Sequence, residues 1–527
     1  MRQYNNVYKM EQQRRYPLGE QSFSKLREQG RVYVDKTEHV YRLTHLSSDY
    51  IFLSRPRRFG KSLLTSTLRC YFEGRRDLFK GLAIERMEKD WTAYPVLHFD
   101  MSGGKNLSRD SLIKYILDIL KDNERRMDID PEGGEEPNIR MKNLISNVYR
   151  KTGKQVVVLI DEYDAPLLDV MHEENSLKAI RDTVQTFYKP LKAAGEYLRF
   201  VFLTGITKFS QLSIFSALNN IMNVSMDKEF ADICGITAEE LTTQMLPDID
   251  LLGENLGKSR EETIKTLCRN YDGYHFTWPS PDIYNPYSLL TAFAKKEIGS
   301  YWFGSGTPTY LIEMLRKYKV KPQEIGGRKC QAQIFDAPTE RMTDITPLLY
   351  QSGYITIKDY NSRSRIYTLD IPNKEVRLGL TGSLMPNYIS PAYVADNLVW
   401  EMYDSICNGD IDGALRQMQT VLGSVPYTRN ARSEGHFQSM LYLLFTLIGQ
   451  YTDVEVHTAT GRIDMVVHAP DRLYIMELKI RDSVESALEQ IDLKRYADRF
   501  ALLCLPITKV GITFDIKKRT IRDWKIM

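Results

Sequence analysis

Gly60, Lys61 and Ser62 stand where an apolar run over residues 51–53 passes through Ser54-Arg55-Pro56-Arg57-Arg58-Phe59 into a helical pattern. Strand, loop and helix in that order present free backbone N–H groups and the positive end of a helix, and both suit phosphate. Gly60 would let the backbone approach the phosphates. Lys61 would reach their β/γ oxygens, and the Ser62 hydroxyl would ligate Mg²⁺. The pattern is imperfect, because Arg55 fills the first glycine position, and a GKS tripeptide alone also arises by chance. A second group sharpens the reading. Residues 156–160 (VVVLI) form a continuous apolar run that ends in Asp161-Glu162. A strand buried on both faces has little structural use for two carboxylates at its tip. Asp161 would hold Mg²⁺ through water and Glu162 would polarise the attacking water; the bland alternative is a strand-end turn with solvated acids. A third run, 199–204, ends at Thr204, so Thr204 or Lys208 would sense a γ-phosphate, although polar strand ends are common.

A third chemical cluster lies near the C-terminus. Residues 461–467 (GRIDMVV) read as a strand, and 473–480 (LYIMELKI) as its hairpin partner across a short turn. Residues two apart on a strand share a face, so Glu477 and Lys479 point one way while Leu478 and Ile480 point into the core. Asp464 on the neighbouring strand can join them. Two carboxylates converging on a hard cation hold Mg²⁺, which polarises a scissile phosphate while Lys479 orients or activates water. Glu434 opens a helix with an apolar stripe (Phe437, Leu441, Leu444, Phe445, Ile448) and would supply a third carboxylate. A later helix, 487–499, carries Gln490, Lys494 and Tyr496, which would face the cleft or a nucleic-acid backbone. The bland alternative is a salt bridge between Glu477 and Lys479 on an exposed strand. His436 and His457 lie nearby, and lone histidines are left out of the metal set.

The elements that must position these groups follow from periodicity. Strand-like runs at 50–54, 96–99, 156–160 and 199–204 alternate with helical patterns at 62–72, 107–123 and 176–194, the arrangement of a parallel sheet with helices on both faces. The acidic, Gly- and Pro-rich segment 128–137 reads as a loop between two helices. Residues 235–320 are mainly helical. A helix over 345–351 leads into strands 354–359 and 365–370 around a polar turn, a hairpin wing after a helix. At 527 residues, 43% hydrophobic and 26% charged, the chain is an ordinary globular protein of two to four domains. No run of eighteen apolar residues and no N-terminal apolar segment argues for a span or a secretory signal. Six scattered cysteines without a CxxC pair fit reduced thiols in the cytoplasm. A net charge of +3 is neutral on nucleic acid, with local basic clusters at 55–61 and 517–519.

The stretch RPRRFGKSL, preceded by VYVDKT (32–37), resembles the bacterial AAA-ATPase-like family. LIDEYDAP (159–166), LTGITKFS (203–210), SIFSALNN (213–220), YDGYHF (271–276) and YNPYSLL (284–290) carry the same resemblance over roughly the first 300 residues. In that family Arg routinely replaces the first P-loop glycine. The resemblance implies an ATP site made by Arg57, Arg58, Phe59, Gly60, Lys61, Ser62, Leu63 and Thr204, with Mg²⁺ at Ser62 and Asp161, and it assigns no arginine finger. LLYQSGYIT (348–356) and IPNKEVR (371–377) resemble the winged-helix segment that follows such a core. The wing's basic residues (Lys358, Arg363, Arg365) are balanced by acids, which favours a structural or partner-docking role over DNA binding. GRIDMVV, YIMELK and EQIDLKRYA resemble the PD-(D/E)XK nuclease domain usually fused to this family. That resemblance implies Glu434, Asp464, Glu477 and Lys479 as the catalytic set, supported by Gln490 and Tyr496, with metal at Asp464 and Glu477. The expected chain is α/β throughout: a P-loop ATPase domain (1–235), a helical and winged-helix middle (236–388) and a PD-(D/E)XK nuclease-like domain (389–527). It would use ATP and Mg²⁺, act on nucleic acid (DNA by the resemblance) and have no membrane association, with a homo-oligomer open to it as to many ATPases of this class. Two alternatives stand beside it: a regulatory ATPase whose nuclease-like domain is an inactive partner-binding module, and an ATPase that binds proteins through its winged segment.

Overall fold

The structure, a computed structural model, describes residues 14–104, 107–208, 221–303, 309–339, 342–388, 392–423, 434–449, 454–459, 462–469, 471–479, 482–493, 505–515 and 520–527; for 309, 392–396, 434–438, 454–459 and 462–464 it describes the backbone alone. The chain forms two compact units, Met1–Tyr318 with Gly327–Asn373, and Lys319–Gly326 with Lys374–Met527.

The first unit is built on strands β1 (Tyr50–Ser54), β2 (Val96–Asp100), β3 (Val156–Asp161), β4 (Leu198–Gly205) and the short β5 (Met222–Asn223). They pair in the order β2-β3-β4-β1-β5, every pair parallel. Every residue of β1 and β3 is buried, which is why both read as unbroken apolar runs rather than alternating ones. Helix Lys61–Phe72 connects β1 to β2, Arg109–Met127 and Pro137–Thr152 connect β2 to β3, and Glu174–Ala193 connects β3 to β4. Their ends are marked by local chemistry. Ser108 makes a capping box on Ser111, Pro137 opens its helix, and Gly153 closes it at φ 66°. The acidic loop expected at 128–137 lies between two of these helices, which are also tied by the Glu124–Arg140 pair (2.6 Å). β5 had no sequence signal, since two residues show no periodicity.

Helices Ala238–Gln244, Leu246–Leu256, Arg260–Tyr271 and Pro286–Lys295 follow, around a core that includes Leu241, Ile249, Leu267, Tyr271, Leu289 and Phe293. Strands β6 (Ile236–Thr237) and β7 (Ile283–Tyr284) pair antiparallel at one side of this bundle. Helix Thr346–Gln351 then leads into the hairpin β9 (Thr356–Asn361) and β10 (Ile366–Asp370). The hairpin is part of a larger sheet than expected. β8 (Arg328–Cys330), from before the helix, adds to β10 and gives the order β8-β10-β9. Three residues without alternation offered no strand signal for β8.

In the second unit, helices Lys374–Leu384, Ala392–Cys407, Ile411–Gly423 and Glu434–Ile448 precede a five-stranded sheet. Its strands are β11 (Val454–Ala459), β12 (Arg462–His468), β13 (Leu473–Lys479), β14 (Ile507–Asp515) and β15 (Thr520–Ile526), in sequential order. Only β13 and β14 run parallel, and helix Val484–Leu493 makes the crossover that a parallel pair requires. Val484, Leu488 and Ile491 of that helix pack on Val466, Leu473 and Ile475.

Candidate functional site

The register of the first sheet decides where its polar tips fall. Leu53 pairs with Thr204 and Ser54 with Gly205, Ile160 pairs with Leu203, and Asp100 pairs with Asp161. Asp100, Asp161, Thr204 and the loop after Ser54 therefore share the carboxyl edge of one parallel sheet, the place where open α/β sheets bind ligands. β4 lies between the strand that feeds the GKS loop and the strand that ends in Asp161-Glu162, so Thr204 is presented between the two.

The loop at 55–60 contains two left-handed residues, Arg58 (φ 65°) and Gly60 (φ 96°). Lys61 starts the helix and is 3% exposed; its amine donates to the Pro56 carbonyl (3.2 Å) and pairs with Glu162 (3.1 Å). Ser62 hydrogen-bonds the Asp161 carboxylate. Burial, and then the neighbouring Glu162, push the Asp161 carboxyl up to about 7, while Ser62 and Lys61 pull against that. Glu162 holds a left-handed backbone (φ 48°), and its carboxylate faces Lys61. Thr204 is fully buried and its hydroxyl has no hydrogen-bond partner among the described residues. A buried hydroxyl without a partner costs about 1–3 kcal/mol, and an anionic oxygen at the sheet edge would satisfy it. These residues fit a nucleotide with Mg²⁺: a cation at the helix start, a hydroxyl and a buried carboxylate for the metal, and an acid beside them.

Arg57 is exposed, and Arg58 lies over the Tyr287 ring at 3.8 Å. Phe59 is buried edge-on against Tyr274 (4.8 Å). Phe59, Gly60, Leu63 and Leu64, together with Val34 and Ile236, line a small apolar pocket beside the loop. The Lys36–Glu240 ion pair (2.6 Å) ties the N-terminal side of that pocket to helix Ala238–Gln244.

Three residues have roles that the motifs did not announce. Arg55, 1% exposed, donates to the carbonyls of Ser54 (2.9 Å), Ser225 (2.8 Å), Phe230 (2.7 Å) and Ala231 (3.4 Å) and stacks on Phe276 at 4.2 Å. It turns away from the loop and fastens the segment after β5, which accounts physically for an arginine at the first glycine position. Asp164, fully buried, accepts from the backbone of Ile206 (3.2 Å) and from the backbone and hydroxyl of Thr207 (both 2.6 Å). Tyr163 donates to the Thr207 carbonyl (2.9 Å). The residues after Asp161-Glu162 thus hold the turn that follows Thr204; their place inside LIDEYDAP was the available signal. Lys208, named beside Thr204 as a phosphate sensor, is buried and paired with Asp336, so its amine is already engaged.

In the second unit, Asp464 and Glu477 are directly opposed on β12 and β13, which puts them on one face, and Lys479 follows two residues along the same face. β13 is buried from Leu473 to Leu478 and Glu477 is 0% exposed, so the exposed-strand alternative does not describe this pair. The Lys479 amine donates to the Ser486 hydroxyl (2.9 Å) and pairs with Asp482 (3.4 Å). Ser486 and Gln490 are four apart on helix Val484–Leu493 and share a face, so Gln490 lies one turn from the residue that holds Lys479. Gly511 of β14 is opposite Glu477, and a Cβ there would come within 2.7 Å of the Val484 carbonyl. A side chain is excluded so that the helix can seat beside Glu477. Glu434 opens helix Glu434–Ile448 as expected. The side chains of Glu434, Asp464, His436 and His457, together with Lys494, Tyr496, the SIFSALNN stretch and the basic cluster 517–519, lie outside the described residues.

Two family profiles match the chain: Predicted AAA-ATPase over residues 17–215 and PD-(D/E)XK nuclease superfamily over residues 432–524. A protein of Azotobacter chroococcum mcd 1, described as an uncharacterized protein in the vnfD 5′ region, is 32% identical over 520 residues, which are 96% of this chain and 98% of that one. Two solved structures also align, Cdc6p from Pyrobaculum aerophilum and the ORC2 protein of Aeropyrum pernix in ADPNP–ADP complexes. Each is 12% identical and covers 66% of this chain, with 90% and 92% of their own chains and TM-scores of 0.20 and 0.22. Overlaps that slight bear on nothing below.

Proposed function

The chain belongs to the AAA-ATPase-like family that carries a C-terminal PD-(D/E)XK domain, and from that premise we propose that it binds and hydrolyses ATP in one unit and cuts DNA in the other, nucleotide state controlling the cut. One observation supports the reading: the strand register brings Asp161, Thr204 and the loop after Ser54 to one sheet edge in the first unit, and sets Asp464 opposite Glu477, two residues before Lys479, in the second. Lys61 binds the β/γ-phosphates, Ser62 and Asp161 hold Mg²⁺, Glu162 orients the attacking water and Thr204 bonds the γ-phosphate. Arg57 and Arg58 flank the triphosphate, Gly60 lets the backbone approach its phosphates, and Phe59 and Leu63 contact the base. In the second unit Asp464 and Glu477 hold Mg²⁺, Lys479 orients water, and Glu434 and Gln490 complete the set. A bound Mg²⁺ supplies charge stabilisation at the phosphate under attack.

Working divisions at 1–235, 236–388 and 389–527, cytoplasmic residence and self-association belong to the same proposal. The segment around helix Thr346–Gln351 is proposed as a winged helix with a packing role, supported by Lys358. Its amine donates to the carbonyls of Gly273 (2.7 Å) and Pro372 (3.0 Å) rather than standing free for a phosphate.

A second reading, a regulatory ATPase with a silent nuclease module, draws on the burial of Glu477 and the engagement of Lys479 by Ser486 and Asp482. Cleavage of plasmid and single-stranded DNA with Mg²⁺ or Mn²⁺, with and without ATP, separates the two. Cutting by the wild type that Lys479→Ala abolishes, and that Lys61→Ala frees from ATP control, is the expected result. ATP binding without cutting under any condition favours the silent module.

A further inference from the structure

Tyr274 and Phe276 of the YDGYHF stretch pack against Phe59 and Arg55, but its Asp272 takes no part in the chemistry above and lines a second cleft. Ile236 of β6 lines the apolar pocket beside the GKS loop, whereas Thr237 lines a separate cleft of about 830 Å³, as neighbouring residues of one strand must face apart. Asp232, Glu239, Asp272 and Asp282 contribute carboxylates to this cleft, and Ile264 and Tyr284 contribute apolar surface. Asp232 faces His39 (3.4 Å) and Asp282 faces His275 (3.5 Å). Lys265 and Arg269 also border the cleft, and the Lys265 amine is paired with Glu261 (2.9 Å).

Asp272 is different. It is 4% exposed, and its Oδ1 has no hydrogen-bond partner among the described residues, while Cys268, Tyr284 and the Gly273 amide bond the carboxyl. Burial, and then the charge of Asp282, push this carboxyl up to about 6. Its backbone is fixed. The Asp272 carbonyl accepts from the Asn373 amide side chain (2.9 Å) and the Gly273 carbonyl from Lys358 (2.7 Å). Gly273 sits at φ 90°, where a Cβ would come within 2.5 Å of the Pro372 carbonyl oxygen. A rigid turn that holds a buried, incompletely bonded acid at an acidic cleft calls for a donor from outside.

The excess of carboxylates disfavours a phosphate or a nucleic acid. A metal is disfavoured too, because among the described residues no three His, Cys, Asp or Glu side chains are placed to hold one. An organic cation suits both parts of the wall: N–H donors for the acids, and an alkyl stem against Ile264 and Tyr284. We propose that this cleft binds an alkyl ammonium or guanidinium group, with Asp272 as its buried anchor and Glu239 and Asp282 at the mouth. The group can come from a free amine or from an arginine side chain of a peptide. The proposal does not depend on the nucleotide or nuclease readings.

The test is isothermal titration calorimetry of the full chain with agmatine, putrescine and the capped peptide acetyl-Gly-Arg-Gly-amide. Saturable one-to-one binding of at least one probe is expected, weakened at least about tenfold by Asp272→Asn, because a charge-assisted bond becomes a neutral one. Tighter binding of the peptide points to a protein-borne arginine, and tighter binding of the free amines to a small molecule. Should Asp272→Asn fail to fold, the double variant Glu239→Gln with Asp282→Asn removes the mouth charges and is expected to weaken binding several-fold. Absence of saturable binding by all three probes, or binding unchanged in the folded variant, overturns the proposal.

Discussion

Arg55 stands where a phosphate-binding loop usually has glycine, and its guanidinium holds four carbonyls, three of them in the segment at 225–231. Restoring the commoner residue is therefore expected to harm the protein. Arg55→Gly leaves buried carbonyls without donors and should lower stability by at least about 3 kcal/mol, read from urea unfolding of the first unit. A variant as stable as wild type would show that the clamp contributes nothing. Asp161 governs a pH effect of the opposite kind. With its carboxyl near 7, the folded state keeps a proton that the unfolded chain releases, so its contribution to stability falls as pH rises from the ordinary carboxylate range to about 7. Holding Mg²⁺, the role proposed for Asp161, needs that proton gone. Affinity for Mg·ATP should therefore rise roughly tenfold between pH 6 and pH 8, and Asp161→Asn should flatten that part of the slope. Titration calorimetry at three pH values checks both.

Among the elements, the contact between β14 and helix Val484–Leu493 is the one most exposed to a single change. Gly511 leaves no room for a side chain, since an added Cβ would also lie 2.9 Å from Leu488 Cγ. Gly511→Val is expected to lift the helix, destabilise the second unit by about 1–3 kcal/mol and separate Ser486 from Lys479. Thermal unfolding followed by calorimetry reads the first effect; loss of metal-dependent cutting, where the wild type cuts, reads the second. The strands of the first sheet were legible because burial on both faces leaves a plain apolar run, and β1, β2, β3 and β4 fall within two residues of the periodicity. β5 and β8, of two and three residues, were not legible. Their partners, not their own sequences, make them strands.

At the scale of the whole chain, two compact units imply two unfolding events rather than one. Calorimetry should resolve two transitions. Mg·ATP at about a hundred times its Kd should raise one of them by the equivalent of about 2.7 kcal/mol and leave the other in place. A single transition that moves as a whole would show that the units unfold together. The same experiment with Lys61→Ala assigns the shifted transition, because the variant removes the amine proposed to meet the phosphates.

The sequence by itself determined the chemistry available: a cation and a hydroxyl at a helix start, acids at the tip of a buried strand, and an ExK pair on a hairpin. Those signals are local, because residue type and a period of two or 3.6 depend only on near neighbours. Only the tertiary structure decided which of these groups meet and which are already engaged. It aligned Thr204 with the GKS loop, paired Lys208 with Asp336, turned Arg55 inward and set Asp464 opposite Glu477. It also buried Asp272, whose motif had given no hint of a use. The physical reason is that hydrogen-bond partners and dielectric surroundings come from residues far away in the chain, and no periodicity records them.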